Sequence, residues 1–578
     1  MRALAAYLKP YRKESILAPL FKLLEALFDL LVPLVVARMI DAGDGKRTVV
    51  LCFLGLLAMA AVGLGCSVLA QFFAAKASVG FAGSLRQALF DHIQSLSYAE
   101  LDALGSDTLI TRLSDDVNQV QNGLNLGLRL LLRSPFIVLG AMVMAFTIDF
   151  RCALVFAVTI PILFAVVFAI MLLSIPLFGK AQAGLDAVTA ETRENLTGVR
   201  VIRAFCREEQ SVEEFEASNR ALTKLNLFVG RISALMNPLT YVLINLGAAV
   251  LIRQAAGQVD LGVFPQGQVV ALYNYMLQII VELIKLASLI ITLNKSLACA
   301  KRSAAVLAVA PGMRYPDAAP AAEAPASAPA VEFRDVSFTY QGSGAPSLSD
   351  ISFRVRAGDT VGVIGGTGSG KSTLADLIPR FYDATSGSVL LDGQDVRSLP
   401  QSVLREKVGV VPQRSRLFQG SIRDNLRWGN ENAPDDALWR ALTLAQAREV
   451  VEGKPGGLDF PLEQNGRNLS GGQRQRLTIA RALVKEPEVL ILDDSSSALD
   501  FATDAALRRS LRTLRSTTFL VSQRIACVRQ ADTILVLDNG RLAGCGDHGT
   551  LMRTCPVYQE IYWSQFPEER PNGKEARA

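Results

Sequence analysis

Histidine is nearly missing from this chain: His92 and His548 are the only two among 578 residues. A metal centre built on imidazole ligands is therefore all but excluded. Charged residues make up only 20% of the sequence against 50% hydrophobic, and mean hydropathy is +0.29. That is too apolar for an ordinary soluble enzyme. The cysteines (Cys52, Cys66, Cys152, Cys206, Cys299, Cys527, Cys545 and Cys555) show no C-x-x-C spacing. They read as small buried hydrophobes in a reducing compartment, not as a disulfide framework or a metal site. A net charge of +5 is small for the length and does not suggest nucleic acid as a partner. No cleavable-signal layout opens the chain, where Lys9, Arg12 and Lys13 simply precede a long apolar segment. No internal repeat is found, and the length predicts about three or four domains.

Long uncharged runs are what the chain has in abundance. Residues 49–75, 153–178, 232–252 and 261–281 carry no charge at all. Each is near or above the ~20 residues needed to cross a ~30 Å hydrocarbon core. Two further apolar segments, about 15–40 and 123–148, carry a few charges and bring the spans to six. The connections 149–151 and 253–260 are short, whereas 76–122 and 179–231 are long, charged and helical in pattern. The second long segment holds Lys180, Arg193, Arg200, Arg203, Arg207, Arg220, Lys224 and Arg231. That basic bias places both long segments and both termini in the cytoplasm of a multi-pass cell-membrane protein. Residues 1–310 thus read as a six-helix transmembrane domain in a lipid membrane, with helices reaching well beyond it. Inside the spans, Glu25 and Asp29 share a face at i, i+4 and would favour cationic amphiphiles unless Lys22 neutralises Glu25. Glu282 and Lys285 either serve substrate or pair with each other.

Residues 311–330 are rich in proline and alanine and read as a tether. From Val331 the pattern turns to soluble α/β, with β-branched runs at 361–364, 408–411, 489–492, 518–522 and 533–537 alternating with polar helices. This predicts one nucleotide-binding domain over 331–566 and a disordered tail over 567–578. Its central feature is Gly365, Gly366, Thr367, Gly368, Ser369, Gly370, Lys371, Ser372, which fits G-x-x-x-x-G-K-[ST] between a buried strand and a helix beginning around Thr373. Glycines let backbone N–H groups close around phosphate oxygens at a helix N-terminus. Lys371 would reach the β- and γ-phosphates of ATP, and the Ser372 hydroxyl would ligate Mg²⁺.

A second motif, Leu469, Ser470, Gly471, Gly472, Gln473, follows about a hundred residues later. The pair resembles the ATP-binding cassette (ABC) superfamily, and the six spans ahead of one nucleotide domain resemble its exporter-type half-transporters. The resemblance implies that Ser470 and its glycines cap ATP held by an opposing domain. It also implies that Tyr340 stacks on adenine, and that Gln413 contacts Mg²⁺ and the attacking water. Asp493 would hold Mg²⁺, and Asp500, in Ser497–Asp500, would communicate across a dimer. In the membrane half, Ser97–Val117 (with Asp102, Gly105 and Asp115) and Val201–Glu209 with Phe215 resemble the two cytoplasmic coupling regions.

Two positions depart from the family pattern. Asp494 stands where the family has the glutamate that polarises water, and Gln523 where it has the switch histidine. Aspartate is one methylene shorter, and an amide carries neither charge nor a relayed proton. Gln464, ahead of the second motif, also replaces a commonly acidic residue. His548 lies in a C-terminal turn and is no substitute. The pattern resembles the degenerate-site half of a heterodimeric exporter of hydrophobic or amphiphilic substrates, with a second half-transporter as partner. A homodimer with two slow sites, an importer on the same fold (for metal chelates, for example) and an ATP-regulated membrane regulator are the alternatives.

Overall fold

The computed structural model describes residues 2–43, 45–260, 262, 264–318, 328–495 and 499–570. Residues 319–327 of the tether, Ser497 and Ala498 of the communication loop, and tail residues 571–578 lie outside them. Internal packing divides the chain into two compact units. One comprises Met1–Gln94 and Ser106–Val309, the other Ser95–Gly105 and Ala310–Ala578.

The first unit is built from long helices: α1 (Arg12–Asp41), α2 (Lys46–Ser95), α3 (Ser106–Ile148), α4 (Phe150–Thr197), α5 (Glu208–Asp260) and α6 (Gln266–Leu307). Five of these, α2 to α6, are long and apolar enough to cross a membrane by length and composition alone. The sixth predicted span corresponds to α1, which carries Lys22, Glu25 and Asp29 in its middle. At 1.5 Å per residue the 50 residues of α2 extend roughly 75 Å, far beyond a ~30 Å hydrocarbon core. The packed centre joins Ala26, Leu30 and Ala37 of α1 to Ile137, Ala141 and Ala145 of α3 and Tyr275 and Ile279 of α6. Small residues at these contacts let helix backbones approach where no hydrophobic effect drives them together.

The charges buried among these helices neutralise one another. Lys22 donates to Glu25 at 2.6 Å, as one reading of the sequence required. Asp29 is not free for a cation either, because Arg133 of α3 reaches it at 2.9 Å with one nitrogen and Glu282 of α6 at 2.6 Å with the other. Ser134 and Lys285 complete the Glu282 carboxylate at 2.8 and 2.9 Å. The acidic face that suggested cationic substrates is thus internally compensated, and three helices are joined through one guanidinium.

The second unit holds three sheets, with strands β1 (Val331–Phe338), β2 (Leu348–Val355), β3 (Thr360–Gly365), β4 (Ser386–Leu391), β5 (Gln394–Asp395), β6 (Val408–Val411), β7 (Gly420–Ser421), β8 (Pro461–Leu462), β9 (Val489–Asp493), β10 (Thr517–Val521), β11 (Thr533–Asp538) and β12 (Arg541–Gly546). An antiparallel sheet runs β2-β1-β4-β5, a six-stranded sheet runs β12-β11-β3-β10-β9-β6, and β7 pairs with β8. Strands β11, β3, β10, β9 and β6 pair in parallel. They are buried on both faces, which is why their sequences are continuously apolar instead of alternating.

Segment Ser95–Gly105, expected within the membrane half, packs with this unit instead. Its helix Tyr98–Leu104 opens on a capping box of Ser97 and Glu100. Tyr98 lies 4.6 Å from the Phe381 ring and Tyr382 donates to Asp102 at 2.6 Å. The start of the expected tether is anchored too. Tyr315 donates to the Arg380 carbonyl at 3.2 Å and lies under the Arg380 guanidinium at 4.5 Å. Five cysteines are buried as expected, whereas Cys206 and Cys545 are exposed.

Removing Arg133 leaves Asp29 without its cation and Glu282 with a weaker partner set. Arg133→Ala is expected to lower stability by about 1–2 kcal/mol, less than the full penalty for a stranded buried charge, because Asp29 is 41% exposed and Glu282 keeps Lys285 and Ser134. Lys285→Ala, on a side chain 44% exposed, should change it by under ~1 kcal/mol. Thermal unfolding of the purified variants in detergent measures both, and equal midpoints would contradict the assignment of Arg133 as the hub.

Candidate functional site

The parallel register places the candidate residues at one sheet edge. Val521 of β10 aligns with Asp493 of β9, and Leu492 of β9 aligns with Val411 of β6. Next to β10, β3 ends at Gly365. The residues that follow each strand, Gly366–Ser372, Ser522 and Gln523, Asp494, and Pro412 and Gln413, therefore emerge together at the carboxyl ends of the strands, where open α/β sheets bind ligands. They surround a cleft of about 370 Å³ lined by Tyr340, Thr367, Gly368, Gly370, Lys371, Ser372, Thr373, Gln413, Asp493, Asp494, Ser522 and Gln523 among others.

The loop between β3 and helix α7 (Lys371–Leu377) is shaped by its glycines. Gly368 and Gly370 have φ of +78° and +95°, and a Cβ on Gly370 would sit 2.7 Å from the Ser347 carbonyl. Lys371 folds back across the loop, donating to the carbonyls of Gly365 at 3.0 Å and Gly366 at 2.6 Å. Burial pulls the ammonium pKa down, while Asp493 and Asp494 oppose that shift. Ser372 donates to Asp493 at 3.2 Å. Burial raises the Asp493 pKa, and the Ser372 bond works against that rise. Hydroxyl, carboxylate and the Gln413 amide oxygen form a hard oxygen donor set, the kind that suits Mg²⁺ alongside nucleotide phosphates.

Asp494, directly after β9, sits in the left-handed region with φ of 41°, its N–H donating to the Val521 carbonyl at 2.9 Å. Aspartate tolerates that conformation better than most residues. Tyr340 lies just beyond β1, with its hydroxyl 3.1 Å from Thr373 and its ring edge-on to Phe338 and Tyr382 at 4.7 and 5.3 Å.

The second motif does not line this cleft. Ser470 and Gln473 instead form a reciprocal capping box at the start of helix α8 (Gly471–Leu483), with Ser470 N–H to Gln473 at 3.1 Å and Gln473 N–H to Ser470 at 3.3 Å. Leu469 is buried behind it. Asp500 caps helix α9 (Phe501–Leu511) by accepting from the Thr503 N–H at 2.9 Å. A cleft holding one set of motifs while the other stands apart matches a site completed by a second domain.

Family models match both halves: an ABC transporter transmembrane region over residues 15–283 and an ABC transporter domain over 348–497. An uncharacterized ABC transporter ATP-binding protein of Mycobacterium tuberculosis is 36% identical over 570 residues, covering 97% of each chain. The chain belongs to the ABC transporter family. An ATP-dependent lipid A-core flippase of Syntrophus aciditrophicus is 29% identical over 508 residues, 88% of this chain and 84% of its own. The structure of a bacterial Atm1-family ABC exporter with ATP bound superposes with a TM-score of 0.78 at 25% identity, covering 96% of this chain and 98% of that one. This is thus a multi-pass ABC half-transporter of exporter architecture with a cytosolic nucleotide-binding domain.

Three residues that contact or neighbour the transporter's cleft lining were not singled out from the sequence. Gln565 touches the backbone on either side of Arg524, a contact that no motif announces. Tyr382 joins Tyr340 to Asp102. Asp376, one turn past Ser372, interrupts the apolar Leu374, Ala375 and Leu377 of α7, and that interruption was a readable signal. Burial, with Asp493 and Asp102 nearby, pushes its carboxyl up to about 7 from 3.8.

An acid whose folded pKa is raised contributes stability that is full below its unfolded pKa and is lost as pH climbs through the folded value. Asp376→Asn removes that loss. Its thermal midpoint is expected to match the parent near pH 4, to exceed it increasingly up to pH 7, and to keep a constant advantage above that. A constant offset across the whole range would show that burial of Asp376 is not responsible.

Proposed function

We propose that this chain is the ATP-holding half of a heterodimeric exporter of hydrophobic or amphiphilic substrates. The observation carrying this reading is that one cleft gathers the gripping groups Lys371, Ser372, Gln413 and Asp493 with Asp494 and Gln523 where rapid hydrolysis needs a longer carboxylate and an imidazole. The shorter side chain of Asp494 withdraws its carboxylate by roughly 1 Å, and misplacement on that scale lowers a rate about 100-fold. Gln523 still offers a phosphate oxygen a hydrogen bond but relays no proton. ATP and Mg²⁺ would be held here and turned over slowly. The Ser470–Gln473 cap, standing apart from the cleft of its own chain, would complete a fast site on a partner half-transporter carrying glutamate and histidine. The slow site would keep the nucleotide domains associated while the fast site cycles. Charges neutralised inside the membrane unit and a relative named as a lipid A-core flippase support an amphiphile over a simple cation as cargo.

ATPase assays of the chain alone and co-expressed with its partner test the reading. Glutamine in place of the partner's catalytic glutamate is expected to abolish turnover with Asp494 untouched. Asp494→Glu with Gln523→His should raise turnover of the chain alone by about 100-fold, the inverse of the geometric penalty. Brisk hydrolysis by the unmodified single chain would instead favour a homodimer and sink the asymmetric scheme.

A further inference from the structure

The loop carrying Gln523 is braced from a helix the nucleotide motifs never mention. Gln565 ends the C-terminal helix Pro556–Gln565. Its side-chain amide donates to the Gln523 carbonyl at 2.7 Å and its oxygen accepts from the Ile525 N–H at 2.8 Å. One side chain therefore satisfies two backbone groups flanking Arg524, a donor and an acceptor with opposite demands, which an amide meets with its oxygen and its nitrogen. The rest of the loop is held by its neighbours. Ser522 donates its N–H to the Val363 carbonyl at 3.0 Å, the Arg524 N–H reaches the Ser522 hydroxyl at 3.1 Å, and the Arg524 guanidinium stacks over Phe501 at 5.6 Å. Gln523 is exposed at the turn and lines the cleft while its backbone is fixed from behind.

We propose that Gln565 is a positioning residue for holding ATP in this chain's own cleft: it fixes the backbone of the switch loop so that residue 523 presents its side chain to the cleft. Among the described residues Gln565 forms no hydrogen bond to the phosphate loop, so it acts on the nucleotide only through residue 523. The inference rests on Gln523 occupying the switch position.

Release of radiolabelled ATP from the full-length transporter, reconstituted in lipid vesicles with whatever partner chain it assembles with, tests this in a double-mutant cycle. Q565M removes both hydrogen bonds at nearly constant length, and Q565E keeps the acceptor for Ile525 while losing the donor to Gln523. Each is expected to speed release of the slowly turned-over ATP about fivefold to tenfold. In a Q523A background neither should speed release further. Unchanged release, or an equal acceleration in the Q523A background, would overturn the assignment. If Q565M is poorly folded by thermal unfolding, Q565E decides alone. If Q523A itself leaves release unchanged, the switch-loop reading fails and takes this inference with it. An acceleration that persists in Q523A overturns this inference while leaving that reading intact.

Discussion

The cleft depends on one constraint, the parallel register of β3, β10, β9 and β6. Because Val521 stands beside Asp493 and Leu492 beside Val411, four loops from distant parts of the chain emerge at one edge. A slip of one residue in any strand would turn its apolar run by a face and lift its loop away from the others. Burial on both faces sets that register, and the chemistry inherits it. Lys371 then bends over the Gly365 and Gly366 carbonyls, keeping a buried ammonium satisfied. Phosphate oxygens would offer that cation stronger partners than carbonyls, so the resting contact is one a nucleotide can displace.

Much of this was legible. The five parallel strands fall within a residue or two of the β-branched runs, because a strand covered on both faces must be apolar throughout. The phosphate loop was legible because its glycines answer to backbone geometry, shown by the positive φ of Gly368 and Gly370. Four of the membrane spans were legible from charge-free length alone, and the span around 123–148 from apolar length with a few charges. What sequence could not show was partnership at a distance. Asp29 looked available to a cation because its partner Arg133 lies more than a hundred residues away on another helix. Segment Ser95–Gly105 continued a helical pattern from the membrane half, and only the contacts of Tyr98 and Asp102 with Phe381 and Tyr382 assign it to the nucleotide unit. Gln565 was invisible for the same reason: it bonds backbone, and backbone leaves no signature in the residues it holds.

The two units deal with charge in opposite ways. Among the membrane helices each of the carboxylates of Glu25, Asp29 and Glu282 has a cation beside it, which offsets the cost of removing the buried Glu282 from water. In the cleft, Asp493 and Asp494 stand beside Lys371, with Asp376 near Asp493, and burial raises Asp493 and Asp376. In the proposed function, Mg²⁺ bound with the nucleotide would relieve that excess of carboxylate beside the phosphate-binding loop.

The two altered positions acquire their meaning from how well their surroundings are kept. Erosion of an unused site would loosen the loops along with the side chains. Here Asp494 has its backbone tied to Val521, and Gln523 sits on a loop braced by Ser522, Arg524 and Gln565. In the proposed function, such bracing serves a loop that meets the phosphates when ATP is present. A loop that meets phosphate through an amide can hold the nucleotide but does not help water attack it. Holding without breaking is what a site needs if its task is to keep two nucleotide domains together for longer than one turnover next door.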